Sequence, residues 1–176
     1  TDTVDNLGYG YIGMSANTMN VNKEPGSDAS KAYRKAFATV LAAYRTVAIE
    51  SYYGERASVI NYPISITCWA APQAADPGYK VAFSVDAQGK DIYTSDMTDE
   101  QKFEAALQAA LTFFEAAGCK VENGKVVSNP EGGMDTANNA IEREALIPAD
   151  GKGDHPSLRL LTEASKALQK IGVHLI

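Results

Sequence analysis

The sequence predicts a mixed α/β fold, and three observations carry that prediction. The carboxy-terminal stretch follows the order strand, loop, helix, strand, from AIEREALI at 140–147 to VHLI at 173–176. A helix at 98–118 has a capping sequence and a glycine stop. GYGYIGMSAN at 8–17 alternates small and large residues, as a strand does. With 176 residues, 45% of them apolar, the chain suits a single α/β domain over 1–176 or one lobe of a larger protein.

The first predicted strand places Tyr9 and Tyr11 on one face and Ile12 and Met14 on the other. These tyrosines either pack or reach a cleft. A turn at 23–28 follows the strand, because Pro, Gly, Ser and Asp cluster there.

A helical pattern runs from about Ala29 to Tyr53, as one helix or as two with a break. Ser27 or Asp28 can cap its first amides, and Gly54 can end it. The apolar positions that recur at helical spacing are Tyr33, Phe37, Val40, Tyr44, Val47 and Tyr52.

The segment NYPISITCWAAPQAADPGY at 61–79 is rich in proline and holds the only tryptophan, Trp69. Proline excludes a continuous helix, so the segment is expected to be an extended, ordered loop. Trp69 is then either an anchor of the loop on the core or an aromatic wall for a ligand. A hairpin around 87–90 is a further possibility, since two short apolar arms flank Gly89.

The remaining elements carry stronger local signals. Thr98 and Gln101 form a capping box for the helix that Gly118 ends. The pair Asn123-Gly124 predicts a tight hairpin. In the last unit, Pro156 suits the first turn of a helix and Gly172 its end.

The last unit is a β-α-β arrangement, which implies two parallel strands joined by a right-handed crossover. A parallel sheet needs cover on both faces. We therefore expect the chain to be a part cut from a larger protein.

Charge and composition narrow the function classes. The net charge is -6, and basic residues form no stripe with aromatics between them, so nucleic acid is not an expected partner. No apolar run is long enough to cross a bilayer, and no secretion signal opens the sequence. Cys68 and Cys119 have no metal-site spacing, and either packed thiols or one disulfide suits them.

No motif supplies a nucleophile with its base, so the sequence does not predict an enzyme. His155 and His174 are the only histidines and lack the neighbours of a zinc site, so no cofactor is expected. The loop Pro148–His155 precedes a helix start, where free amides favour an anion. His155 is therefore a ligand candidate, and a plain connection capped by Asp154 is the alternative.

The ordered set of segments resembles family 5 extracellular solute-binding proteins, the dipeptide and oligopeptide receptors of ABC importers. SDASKAYRKAFATVLAAYRTVAIESYYGERASVINYPIS is similar to the family's Asn-loop-helix-glycine-proline region, including Arg34 and Arg45. KFEAALQAALTFFEAAGCK and LLTEASKALQKIGVHLI resemble two later helical segments. Departures are Tyr44 in place of a common Asp, Cys119 in place of an aromatic, and a longer loop around Trp69.

The resemblance implies one lobe of a type II periplasmic-binding-protein fold, a mixed sheet flanked by helices, cut from the second of two lobes. It implies non-catalytic capture of an oligopeptide, delivery to an ABC permease, and an extracellular or periplasmic location with a lipoprotein anchor on the full-length protein. Nickel complexes, sugars and opines are carried by the same family, and a surface adhesion module is a different class. The implied ligand contacts are His155, Tyr9, Tyr11 and Asn17, to which the Pro-rich loop adds Trp69.

Overall fold

The computed structural model describes residues 8–147 and 155–176, and within them the chain is a mixed α/β protein, as predicted. Four α-helices and two small two-stranded sheets occur in the described ranges, with one short 3₁₀ turn at Gly54–Arg56. The helices are α1 (Asp28–Ala43), α2 (Arg45–Tyr52), α3 (Asp99–Ala116) and α4 (Pro156–Lys170). The strands are β1 (Val121–Glu122), β2 (Lys125–Val126), β3 (Ile141–Arg143) and β4 (Val173–Leu175).

The first helical region is two helices with a break at Tyr44. Ser27 caps α1, since its hydroxyl accepts a hydrogen bond from the backbone N–H of Ser30 at 3.2 Å. Tyr44 leaves helical geometry at φ -93° and ψ 3°. Its ring stacks face to face on Phe103 of α3, with centroids 4.3 Å apart. This ring contact fixes the corner between α1 and α2.

Helix α3 begins and ends where the sequence predicts. The backbone N–H of Thr98 donates to Gln101 Oε1 at 2.8 Å, and the backbone N–H of Gln101 donates to Thr98 Oγ1 at 3.3 Å. The capping box is therefore complete. Gly118 takes a positive φ of 98° just beyond the helix.

The core lies between α1, α3 and α4. Tyr33, Phe37 and Phe114 are fully buried and meet edge to face, with ring centroids 5.4 to 6.0 Å apart. Helix α4 adds Leu168 to the same hydrophobic cluster, and β3 adds Ile141.

The two predicted strand pairs of the second half are present. Asn123 and Gly124 both take positive φ, 52° and 73°, which is the backbone a two-residue hairpin between β1 and β2 requires. Strands β3 and β4 are parallel, with Ile141 opposite Val173, and α4 connects them. The β-α-β prediction is confirmed.

Gly172 connects α4 to β4 and touches the hairpin. It has φ 81°, and a Cβ placed on it would lie 2.6 Å from the carbonyl oxygen of Val126. The N–H of Val126 donates to the carbonyl of Ile171 at 2.8 Å, so the hairpin backbone is held against this turn. Only glycine fits here on both counts.

Three expectations about strands are corrected. Residues 8–17 are not a strand: they lie mostly at the surface, because glycines weaken a strand and no partner strand pairs with them among the described residues. The hairpin around 87–90 is reduced to one bridge between Val85 and Asp91. The single mixed sheet is instead two separate sheets, since strands of two or three residues do not extend far enough to join.

Two further points concern the limits of the fold. The loop from Pro148 to Asp154 lies outside the described residues. Among the residues that are described, no helix combines the length and the apolar character needed to cross a bilayer.

Candidate functional site

A small cleft opens where the corner between α1 and α2 meets the loop before α3. Its volume is about 130 Å³. Three separate stretches of chain meet there: the helix corner, residues 81–93 and the first turn of α3. We call it the Arg45 cleft, and its lining residues are Ala42, Ala43, Arg45, Val81, Ala82, Phe83, Tyr93 and Lys102.

Arg45 is held in the cleft by backbone oxygens rather than by an acid. Its Nε donates to the carbonyl of Ala42 at 3.1 Å, and its Nη1 donates to the carbonyl of Ile60 at 3.2 Å. Within residues 8–147 and 155–176, no carboxylate forms an ion pair with it. Burial lowers the pKa of the Arg45 guanidinium, and the Tyr93 phenol opposes that shift. Among the described residues, the half-buried cation therefore has no counterion.

Tyr93 and Lys102 are the other polar side chains that line the cleft. Burial raises the pKa of the Tyr93 phenol, and Arg45 works against that rise. Lys102 is more exposed, and its ammonium lies 3.3 Å from Asp99 one turn away on α3. A negatively charged group in the cleft would meet a guanidinium, an ammonium and a phenol O–H.

The wall of the cleft includes a strained backbone position. Phe83 has φ 59°, a left-handed conformation that costs a bulky residue about 1 to 3 kcal/mol. Hydrogen bonds on both sides hold it: the N–H of Ala82 donates to Asn61 Oδ1 at 3.1 Å, and the N–H of Ile92 donates to the carbonyl of Ser84 at 2.9 Å. The ring is 41% exposed. Strain of this kind concentrates at ligand sites.

The Pro-rich loop has a defined internal structure, as the sequence predicts. Asn61 Nδ2 donates to the Tyr79 hydroxyl at 2.9 Å, and the N–H of Lys80 donates to the Tyr62 hydroxyl at 3.2 Å. The rings of Tyr62 and Tyr79 lie 5.6 Å apart. These contacts join the beginning of the loop to its end.

Trp69 does not anchor this loop on the core, so that interpretation is wrong. Its side chain is 96% exposed. Consecutive turns present it outward: the N–H of Cys68 donates to the carbonyl of Ser65, and that of Ala71 to the carbonyl of Cys68. The small residue Ala71 is buried in its place. Nothing in the structure tests the alternative, that Trp69 contacts a ligand.

The other candidates near the amino terminus are also at the surface. Tyr11 is 84% exposed and Tyr9 49%, and their ring centroids lie 6.5 Å apart. Asn17 is exposed, and its carbonyl accepts a hydrogen bond from the Asn20 side chain at 2.9 Å. The packing alternative for the two tyrosines is therefore wrong, whereas their ligand role and that of Asn17 stay predictions.

His155 is the N-cap of α4. Its Nδ1 accepts a hydrogen bond from the backbone N–H of Ser157 at 3.2 Å, and Pro156 occupies the first helical position as predicted. The ring thus caps the helix, a role that one interpretation of the sequence gave to Asp154, which lies outside the described residues. An anion at this helix start would compete with the imidazole for the same amides.

A second, more open cleft of about 450 Å³ adjoins the 3₁₀ turn after α2. Two carboxylates, Glu50 and Glu55, lie on it beside the apolar side chains of Ile49 and Val59. Its charge is opposite to that of the Arg45 cleft, so it suits a cationic or amine group.

A polar cluster beneath the parallel strands is structural. Burial tends to raise the pKa of Asp135, but the N–H of Glu142, the Asn129 amide and the Arg143 guanidinium outweigh burial and lower it. Across the strands, His174 Nδ1 lies 3.1 Å from Glu142 Oε2. These contacts tie the segment before β3 to the two strands.

Cys119 is not set up as a nucleophile. It is buried, and burial raises the pKa of its thiol to about 12, so the unreactive neutral form prevails near pH 7. It is a free thiol, as is Cys68. In the part of the chain that the structure describes, no group of three His, Cys, Asp or Glu side chains is arranged to hold a metal ion.

Comparison with known proteins adds no relative: no protein-family model, curated protein or solved structure matches the chain. The candidate site is therefore identified from its geometry alone. The sequence did not single out the residues of the Arg45 cleft as a site. They come from three segments that no short motif links, and the only local signal was a basic residue directly after the helix break.

Proposed function

We propose that this chain is the solute-binding part of an ABC importer and that it captures oligopeptides outside the membrane, without chemistry, for delivery to a permease. The ordered resemblance described above supports this proposal, and so does the mixed α/β class. In the full receptor, two lobes of the type II periplasmic-binding-protein fold would close around an extended peptide, of which this chain would supply contacts from one side.

The exposed Trp69 on a braced loop is the observation that carries the proposal. A large aromatic side chain outside the core leaves apolar area in water, and burying it against a ligand recovers that free energy. The loop positions Trp69 through turns and cross-bracing, so less ordering is needed when a ligand binds.

Another small solute is the second candidate, and the Arg45 cleft is the observation that favours it. A guanidinium that no carboxylate of the described residues pairs with can bind any carboxylate of suitable size, including one on an opine rather than on a peptide. Ligand pools of both kinds distinguish the two candidates.

Trp69 supplies the test, because it is the only tryptophan of the chain. Titration of the 176-residue chain with a pool of short peptides should shift the Trp emission to shorter wavelength and saturate. Trp69→Ala should weaken peptide binding, measured by calorimetry, at least about tenfold. Leu146→Ala, which removes an equally exposed apolar side chain elsewhere, is the matched control and should bind normally.

One result would count against peptide capture, and another against the role of Trp69. Saturable binding of opines or sugars, with no response to peptides, would show that the ligand is one of these solutes and not a peptide. Peptide binding that is equally strong in Trp69→Ala would remove the loop from the site.

A further inference from the structure

The Arg45 cleft is a site that the resemblance does not assign, and its chemistry specifies a ligand group. We propose that the Arg45 cleft binds a carboxylate, and specifically the carboxy-terminal carboxylate of a short peptide whose last side chain lies against Phe83. This assignment deepens the proposed function and depends on it for the identity of the ligand as a peptide.

No carboxylate of the described residues balances the charge of Arg45. Two of the five N–H groups of Arg45 donate to carbonyl oxygens that carry no net charge. The contacts of the described residues leave the other N–H groups for a ligand. A guanidinium matches a carboxylate with two parallel hydrogen bonds, which is the strongest pairing that a single side chain offers to an anion.

The guanidinium of Arg45 is pre-organised for binding. The bonds to Ala42 and Ile60 hold the guanidinium at the corner between α1 and α2 before any ligand arrives. Arg45 therefore loses little side-chain freedom on binding, in contrast to a long cation extended into solvent. Lys102 lines the same cleft and adds a second positive charge.

The size and the lining of the Arg45 cleft also suit a carboxylate with an apolar side chain. The cleft volume of about 130 Å³ is close to the roughly 150 Å³ of an apolar cavity known to hold a benzene ring. It therefore has room for a carboxylate and a small apolar group, and not for a nucleotide or an oligosaccharide. Its remaining walls are apolar: Ala42, Ala43, Val81, Ala82 and Phe83. A ligand with a carboxylate and an apolar side chain would contact both the polar and the apolar side chains that line the cleft.

A carboxylate is preferred to a phosphate for the same reasons. Phosphate sites rely on several backbone N–H groups or on clusters of cations. The Arg45 cleft offers one fork, one exposed ammonium and a phenol, set in apolar walls. This donor set fits a singly charged planar anion.

The test compares a peptide acid with its amide. Ala-Ala-Phe and its carboxy-terminal amide differ only in the charged end group, so calorimetry on the 176-residue chain isolates the carboxylate. The acid should bind at least about tenfold more tightly than the amide. Arg45→Gln should remove that preference, and Arg45→Lys should restore only part of it.

Two lysines provide a matched control that does not disturb the fold. Lys102 and Lys31 each pair with an Asp in the first turn of a helix, at 3.3 and 3.2 Å, but only Lys102 lines the cleft. Lys102→Gln should weaken the acid about two- to fivefold. Lys31→Gln should leave the ratio of acid to amide unchanged.

The outcomes separate this inference from the proposed function. Equal binding of acid and amide overturns the carboxylate assignment and leaves peptide capture standing. If neither peptide binds, peptide capture fails, and N-acetyl-phenylalanine is then compared with its amide by NMR. A shift of the Arg45 Nε–H resonance with the acid alone supports a carboxylate cleft, and no shift overturns it.

Discussion

Tyr33 carries a hydroxyl into the centre of the core. Its ring is fully buried, packs against Phe37 and Phe114, and lies 5.4 Å beneath the Arg143 guanidinium. The hydroxyl oxygen has no hydrogen-bond partner in the part of the chain that the structure describes. Such a group loses its hydrogen bonds to water on folding and gains none in return.

Tyr33→Phe should therefore stabilise the protein or leave its stability unchanged. The expected gain in the free energy of unfolding is about 1 kcal/mol, because the aromatic packing is kept and one unpaired hydroxyl is removed. Urea unfolding followed by circular dichroism measures the change.

Tyr79→Phe is the matched control, since it removes a tyrosine hydroxyl that accepts a hydrogen bond from Asn61. It should destabilise the loop rather than stabilise the chain. A loss of more than about 1 kcal/mol in Tyr33→Phe would mean that the hydroxyl has a partner, such as a buried water.

At the scale of elements, the turn at Gly172 fixes the hairpin to the β-α-β unit. Its left-handed backbone ends α4, and its missing side chain lets the carbonyl of Val126 approach. Two elements that are otherwise separate are joined at this single close contact.

Gly172→Ala should destabilise the chain by about 2 kcal/mol or more, because strained backbone and a clash with fixed backbone atoms add together. Thermal unfolding gives the size of the loss. Gly124→Ala is the control: it also imposes a positive φ, 73°, but meets no atom within 4 Å. It should cost about 1 kcal/mol. Equal losses in the two variants would show that the contact with Val126 relaxes freely.

The elements that the sequence predicted correctly are those with local signals. The capping box at Thr98, the Asn123-Gly124 turn and Pro156 each act within a few residues, so the sequence alone is enough to predict them. The strand predicted at 8–17 does not form, because alternation of residues does not supply a pairing partner. The prediction that Trp69 anchors the loop is wrong, because the hydrophobicity of a residue does not determine whether a turn directs its side chain towards the core.

The candidate site was less predictable than the fold. The Arg45 cleft exists only after the loop folds back on the helix corner, and Phe83 takes a backbone conformation that no propensity predicts for phenylalanine. His155 was singled out correctly as lying at a helix start, but its observed hydrogen bond is that of a cap.

At the scale of the whole molecule, one hydrophobic cluster connects α1, α3, α4 and both sheets. This cluster contains ionisable groups whose charged forms are disfavoured by burial, among them Cys119 and Tyr33. Burial raises the pKa of Cys119 to about 12 and raises the pKa of Tyr33 well above its ordinary value. Both groups are neutral in the folded protein at moderately alkaline pH.

The folded state should therefore lose stability as pH rises above about 9, the ordinary pKa of a thiol, and continue to do so up to about 12. In this window the unfolded chain releases the Cys119 proton while the folded chain retains it. Ionisation then favours the unfolded state by about 1.4 kcal/mol per pH unit for one such group. Urea midpoints at successive pH values measure the slope.

Cys119→Ala should flatten this alkaline slope even though it lowers stability at neutral pH. Val126→Ala is the control, because it trims a buried side chain without removing an ionisable group. It should lower stability and keep the slope. An unchanged slope in Cys119→Ala would assign the alkaline effect to other groups.

The outward position of Trp69 has a consequence for following the unfolding of this protein. The one tryptophan lies on the loop, whereas Tyr33, Phe37 and Phe114 are aromatic rings at the centre of the core. Tryptophan emission is thus a reporter of the loop surface, and circular dichroism of the helices is a reporter of the core. The two spectroscopic signals describe different parts of one chain, and their midpoints are separate quantities.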